Sequence, residues 1–326
     1  MTMTLLSVDG LSVQYRQGRQ RLQALDRASF EVSEGSRLGV LGESGSGKST
    51  LALAIPGLLP PNAEVTAGTV MFDGRSLTGA SAKELEQVRG RDIGMVFQAA
   101  MNSLDPLRPV ISQVMEALMA HPGVVENRAA ARKRAAEFLR MVDIRDQYHS
   151  MYPHEYSGGM RQRVAIAMSL AGGPRLLIAD EPVTALDVIT QFQILGLLDR
   201  LKQELGLALI FVSHDLGVIA SICDEAIVMY AGRIVERGTV HEVLHQPKHP
   251  YTEMLVQAMP RLTSTRGEFF GIPGSPPSLS SLPPGCPFHP RCPAVLAKCS
   301  AEEPEDTVLG PGRAARCHVV AAGVRS

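Results

Sequence analysis

The sequence predicts an α/β fold with a parallel sheet. Three observations lead there. The run Arg37-Leu38-Gly39-Val40-Leu41 passes through Gly42-Glu43-Ser44-Gly45-Ser46-Gly47-Lys48-Ser49-Thr50 into Leu51-Ala52-Leu53-Ala54-Ile55, which reads as strand, glycine-rich loop and helix in succession. The runs 176–179 and 208–212 are apolar without alternation, the pattern of strands covered on both faces. Helical stretches separate these strands, as parallel crossovers require.

Leu5-Leu6-Ser7-Val8, Leu11-Ser12-Val13-Gln14-Tyr15 and Ala28-Ser29-Phe30-Glu31-Val32 alternate as strands, and Glu34-Gly35 turns the chain before the strand that feeds the loop. The run 67–75 reads as a strand closed by Asp73-Gly74. Residues 81–90 suit a helix, 93–97 a short strand ending at Gln98, and 99–106 an irregular loop. Helical spacing returns over 110–150, interrupted at His121-Pro122-Gly123. Ser157-Gly158-Gly159 opens an apolar helix, and its first amides lack partners within the helix. The next strand, 176–182, runs into Asp180-Glu181; a helix over 188–205 follows, then the strand 208–212 leading to Ser213-His214-Asp215. Residues 226–230 and 233–236 read as a hairpin around Ala231-Gly232. Near residue 260 the composition shifts: 271–277 and 281–285 are too rich in Pro, Gly and Ser for regular elements. The expected division is therefore 1–260 and 261–326, the tail having little core of its own.

With 326 residues, 45% of them apolar and 20% charged, the chain suits a soluble globular protein. A net charge of -1 argues against a protein that coats nucleic acid. Arg128, Arg132, Lys133, Arg134 and Arg140 are spaced as the solvated face of a helix. No apolar run reaches the roughly 20 residues that span a bilayer, and the first residues lack the pattern of a secretory signal. A cytosolic chain is expected, peripheral if it serves a membrane. Four of the five cysteines, Cys286, Cys292, Cys299 and Cys317, fall in the last 41 residues, which in a reducing compartment points to metal before disulfides.

The loop 42–50 carries the spacing Gly, four residues, Gly-Lys-Ser in the strand–helix context a phosphate site needs. Its amides and the helix N-terminus aim positive charge at phosphate, Lys48 would reach the β- and γ-phosphates, and Ser49 would bind Mg²⁺. Asp180 at a strand end suits Mg²⁺, and Glu181 beside it could polarise an attacking water. Gln98 and His214, also at strand ends, are candidates for the γ-phosphate shell. Ser157-Gly158-Gly159 offers a second phosphate-binding helix start, best used against the ATP of a neighbouring subunit.

Over roughly residues 4–260 these motifs resemble the ATP-binding subunits of ABC transporters: phosphate loop, glutamine loop at Gln98, signature at Tyr156-Ser157-Gly158-Gly159-Met160, Walker B strand ending in Asp180-Glu181, and switch histidine His214. The signature usually begins with leucine where this chain has Tyr156. The resemblance implies a RecA-like P-loop core, an antiparallel β subdomain and a helical subdomain at about 95–165. It also implies active ATP hydrolysis with Glu181 and His214 as catalytic residues, and Tyr15 stacked on adenine. ATP would contact Gly42, Ser44, Gly45, Ser46, Gly47, Lys48, Ser49 and Thr50, with Ser157, Gly158 and Gly159 supplied in trans. Mg²⁺ would be held through Ser49, Gln98 and Asp180.

The tail, from Gly271-Ile272-Pro273-Gly274 through Pro283-Pro284-Gly285-Cys286-Pro287-Phe288-His289-Pro290-Arg291-Cys292, is similar to the C-terminal extension of oligopeptide/dipeptide importer ATPases, a class that includes nickel uptake. That implies a peripheral subunit on the cytoplasmic face of the inner membrane. It would work with a second ATPase subunit (a heterodimer before a homodimer), two transmembrane permease subunits and an extracytoplasmic binding protein, and with no nucleic acid. The cargo would be peptides, with nickel or another small solute as the alternative. A soluble ABC ATPase outside transport is a more distant reading. The tail cysteines are separated by 5, 6 and 17 residues, which is not the Cys-x2-Cys pairing of common zinc modules. A [4Fe–4S] cluster, which takes four cysteines and which some members of the family carry, is expected, with zinc as the first alternative (His289 and His318 as substitute ligands) and unliganded or disulfide-linked thiols as the second. Cys223 is expected to be packed.

Overall fold

The computed structural model describes residues 3–259 and 272–323. The expected domain boundary near residue 260, and Gly271, lie outside the described residues. In chain order the strands are β1 (Thr4–Gln17), β2 (Gln20–Ser33), β3 (Arg37–Leu41), β4 (Ala63–Phe72), β5 (Arg75–Ser76), β6 (Ile93–Val96), β7 (Leu176–Asp180), β8 (Ala208–Val212), β9 (Glu225–Tyr230), β10 (Arg233–Thr239), β11 (Asp306–Gly310) and β12 (Arg313–Arg316). The helices are α1 (Lys48–Ala54), α2 (Ala82–Val88), α3 (Val110–Met119), α4 (Arg128–Met141), α5 (Gly158–Ser169), α6 (Val188–Leu205), α7 (Leu216–Ile222), α8 (Val240–His245), α9 (Pro250–Gln257) and α10 (His318–Ala321). These elements fall into two compact units.

One unit contains residues 4–32, 37–78 and those from 213 onward. Its first sheet has the order β2-β1-β4-β5, with β1 antiparallel to β4 from Leu6 opposite Phe72 to Tyr15 opposite Ala63. The two strands expected at 5–8 and 11–15 are one strand, bent where the register shifts between Asp9 and Ser12. In its second sheet β3 lies parallel to β9, and β9 is antiparallel to β10. The hairpins at Asp73-Gly74 and Ala231-Gly232 have both turn residues at positive φ, the geometry that matches the twist of the flanking strands.

The tail is more regular than its sequence suggests. Residues 306–316 form the hairpin β11–β12, and β12 extends the sheet by pairing with β10, Ala315 opposite Glu236 and Ala314 opposite Arg237. Behind it Ala315, Cys317, Val319 and Val320 make a small buried cluster with Ala294, Leu296 and Leu309 packed against it. Ion pairs tie the tail to the same unit: Arg233 reaches Asp26 at 2.8 Å and Glu303 at 2.6 Å.

The other unit contains residues 33–36 and 79–212. Its strands β6, β7 and β8 are parallel, with Val96 opposite Ala179 and Asp180 opposite Val212. Every residue of β7 and β8 is buried, as their unbroken apolar runs predict. The helix α6 matches its predicted span. Asp187 caps it by accepting from the Thr190 amide, Gly206 closes it at φ 66°, and Ile194, Leu197, Leu198 and Leu201 line its buried side. The helices α3, α4 and α5 pack on one another, and the arginines and lysine of α4 lie exposed, as a solvated face should.

Candidate functional site

The phosphate loop begins where β3 ends. Gly42 has φ 151°, and a Cβ there would lie 2.3 Å from the Met229 carbonyl oxygen. Gly47 caps α1 at φ 102°, where a Cβ would lie 2.6 Å from the Ala24 carbonyl oxygen. Only glycine meets both demands, and the loop closes tightly as a result. Lys48 is buried, and its Nζ donates to the carbonyl oxygens of Gly42 at 2.8 Å and Glu43 at 2.9 Å. Ser46 Oγ is buried and finds no hydrogen-bond partner among the described residues. A buried hydroxyl without a partner in an amide-rich loop is what a phosphate oxygen would satisfy.

Ser44 and Gly45 are exposed at the loop's crest, while Ser49 and Thr50 are half-buried in the first turn of α1. Tyr15, on β1, places its hydroxyl 3.4 Å from Thr50 Oγ1, so the expected base-stacking aromatic stands beside the loop helix. In the same unit the Ser213 amide donates to the Val40 carbonyl, which sets His214 alongside the chain leaving β3. Asp215 then caps α7 through the amides of Gly217 and Val218.

The remaining site residues belong to the other unit. Asp180 is buried at the end of β7. The strand stops there and not at residue 182, because Glu181 adopts φ 47°. Its amide donates to the Val212 carbonyl at 3.0 Å, and its Oε2 accepts from Thr184 Oγ1 at 3.0 Å. A left-handed glutamate is strained, and such strain gathers at functional positions. Gln98 follows β6 in an exposed turn with Ala99 at φ 55°. The parallel pairing of β6 and β7 puts Gln98 and Asp180 at the same, carboxyl edge of these strands, the edge where open α/β sheets bind ligands.

Ser157 is exposed and caps α5, accepting from the Met160 amide. Gly159 is buried: a Cβ there would lie 2.5 Å from Thr190 Cγ2, which joins the start of α5 to the cap of α6. Tyr156, where the ABC signature usually has leucine, is buried, and its hydroxyl donates to the Tyr148 carbonyl at 2.8 Å. Burial pushes its phenol up to about 12, so it stays a neutral donor.

Of the tail cysteines, Cys299 and Cys317 are buried and Cys286 and Cys292 half-buried. Burial first, with smaller contributions from the neighbouring Cys317, Cys299 and Cys292, pushes the Cys286 thiol up to about 11. No group of three or more His, Cys, Asp or Glu among the described residues is arranged to hold a metal ion, so neither the expected cluster nor the zinc alternative has a formed ligand set here. His289 Nδ1 lies 2.9 Å from the Cys286 carbonyl oxygen and His318 Nε2 2.9 Å from that of Glu302. Cys223 is buried, as expected of a packed residue.

Sequence reasoning missed Glu43, Tyr251 and Arg291. The Glu43 amide donates to the Tyr251 hydroxyl at 2.8 Å, and its carboxylate takes both arms of Arg291. In the sequence Arg291 stands inside the run 283–292 that resembles the importer extension, and Glu43 stands among the loop's glycines, lysine and hydroxyls, but neither carries a signal of its own.

The chain is similar to known proteins over nearly its whole length. A family model described as "ABC transporter" matches residues 25–184, and one described as "Oligopeptide/dipeptide transporter, C-terminal region" matches residues 235–299. The oligopeptide transport ATP-binding protein OppD of Salmonella typhimurium is 46% identical over 314 residues, covering 96% of this chain and 93% of that protein. The dipeptide transport ATP-binding protein DppD of Escherichia coli is 43% identical over 318 residues, covering 97% of each. Among solved structures, the dimeric ATP-binding cassette MJ0796 in a post-hydrolysis state with ADP and Pi aligns with a TM-score of 0.64. It is 31% identical, covering 72% of this chain and 98% of that one.

Proposed function

Because the chain belongs to the family of ATP-binding subunits of oligopeptide/dipeptide ABC transporters, we propose that it hydrolyses ATP to drive peptide uptake across the cytoplasmic membrane. The observation that carries this reading is the phosphate loop. Its lysine is folded onto its own carbonyls and its Ser46 hydroxyl lacks a partner, in a chain that also carries the peptide-transporter C-terminal region. The relatives named for oligopeptides and dipeptides favour peptides over nickel as cargo.

The residue roles follow from what hydrolysis needs: charge neutralisation, an in-line water and positioning. Gly42, Ser44, Gly45, Ser46, Gly47, Lys48, Ser49 and Thr50 hold the phosphates, and Tyr15 takes the base. Ser49, Gln98 and Asp180 would hold Mg²⁺, which would supply charge neutralisation at the phosphates. Glu181 orients the water and His214 meets the γ-phosphate. Ser157, Gly158 and Gly159 act on the ATP of a partner ATPase, a different subunit before a second copy. No helix among the described residues is long and apolar enough to cross a membrane, so the chain would work peripherally through two permease subunits fed by an extracytoplasmic binding protein.

Residues 1–260 form the ATPase domain, with the helical subdomain at about 95–165, and 261–326 the extension. We assign Cys286, Cys292, Cys299 and Cys317 to a [4Fe–4S] cluster. Four cysteines in one tail, the number such a cluster takes, support this reading. The cluster would supply a staple for a tail with a small core.

Capture of the tagged protein from detergent-solubilised membranes tests the assignment. Two multi-span proteins and a second ATPase should come with it, and MgATP turnover should rise when the binding protein carries a peptide. Capture without permeases, or turnover indifferent to peptide, would contradict it.

A further inference from the structure

A carboxylate is a poor neighbour for phosphate, yet Glu43 stands second in the loop 42–50. Its charge is met from the far end of the chain. Arg291, 248 residues away, donates from Nη1 to Glu43 Oε2 at 2.7 Å and from Nη2 to Oε1 at 3.1 Å. Nη1 also lies 3.3 Å from the Tyr230 hydroxyl, and Nε donates to the Pro273 carbonyl at 2.8 Å. The Arg291 side chain is 5% exposed and that of Glu43 24%. Tyr230, Tyr251 and Phe288 wall this pair, their ring centroids 4.6 to 5.4 Å apart, and the Tyr251 hydroxyl accepts the Glu43 amide.

An exposed ion pair would count for little here. An enclosed, two-pronged one differs, because removing either partner leaves the other's charge unmet where water screens it poorly. We propose that Arg291 is a positioning residue for ATP: through it the C-terminal extension neutralises Glu43, so that the phosphate loop can accept the nucleotide's negative charge. The extension is then a working part of the ATP site, and an ATPase domain cut off before it would carry a loop with an unmet carboxylate. The inference rests on reading 42–50 as the ATP loop.

The test is MgATP binding by the purified full-length protein, measured by calorimetry for wild type, Arg291→Ala, Glu43→Gln and the double variant. Arg291→Ala should weaken binding about tenfold, the effect of one unmet charge a few ångströms from phosphate. High salt should narrow that loss by screening the carboxylate. Adding Glu43→Gln should restore most of the affinity, which a purely structural role for Arg291 would not allow. Wild-type affinity in Arg291→Ala, with only a lower melting temperature, would overturn the proposal, as would a double variant as weak as the single one. If Arg291→Ala does not fold, Glu43→Gln alone decides: affinity equal to or above wild type supports the proposal, and weaker binding overturns it. Failure of the wild type itself to bind MgATP would instead remove the ATP-loop reading.

Discussion

Lys48 Nζ donates to the carbonyl oxygen of Gly42 at 2.8 Å, and so lies across the mouth of its own loop. The same ammonium also reaches the Glu43 carbonyl. Binding exchanges these neutral acceptors for charged phosphate oxygens, which adds Coulombic attraction to the hydrogen bond. Lys48→Ala should therefore cost about 100-fold or more in MgATP affinity with little change in fold, read by calorimetry alongside circular dichroism. Affinity within a few-fold of wild type would place the nucleotide elsewhere.

Gly159 and Thr190 offer a steric test. Gly159→Ala puts a Cβ 2.5 Å from Thr190 Cγ2, and Thr190 cannot move freely, since its Oγ1 donates to Asp187 Oδ2 at 2.7 Å. Overpacking of this kind costs about 1–3 kcal/mol. Thr190→Ser removes the methyl and keeps the hydroxyl, so the double variant should recover the stability that Gly159→Ala loses. Denaturant unfolding of the three variants reads this directly, and a double variant no better than Gly159→Ala would refute the contact.

Tyr156→Phe removes the hydroxyl that serves the Tyr148 carbonyl. The expected loss is about 1 kcal/mol of unfolding free energy, with ATP turnover in the assembled transporter nearly unchanged. A large fall in turnover would mean that the tyrosine does more than hold the helix start.

For the tail, protein purified without oxygen should be brown and contain about four iron and four sulfide per chain, as a four-cysteine cubane requires. Cys299→Ser should lose the iron and lower the melting temperature. Colourless protein without iron or sulfide would end the cluster assignment.

Most of the α/β core was legible because its signals are local. Buried strands appear as unbroken apolar runs, and α6 announces itself through the Asp187 cap and Gly206. The end of β7 was misplaced because nothing in the sequence marks Glu181 as left-handed. The hairpin β11–β12 escaped because Arg313, Arg316, small residues and turns give it no hydrophobic alternation, and its partner β10 lies about 80 residues upstream. The candidate site residues carry chemical motifs and can be read from the sequence one by one. The Glu43–Arg291 pair cannot, since a contact between distant charges leaves no periodic trace.

The decisive variant is Glu181→Gln, examined in the transporter assembled with its partners and a peptide-loaded binding protein. MgATP binding should stay close to that of wild type while turnover falls by ~10²–10⁴-fold, the usual worth of a group that orients or activates the attacking water. Near-normal hydrolysis by that variant would remove Glu181 from the role.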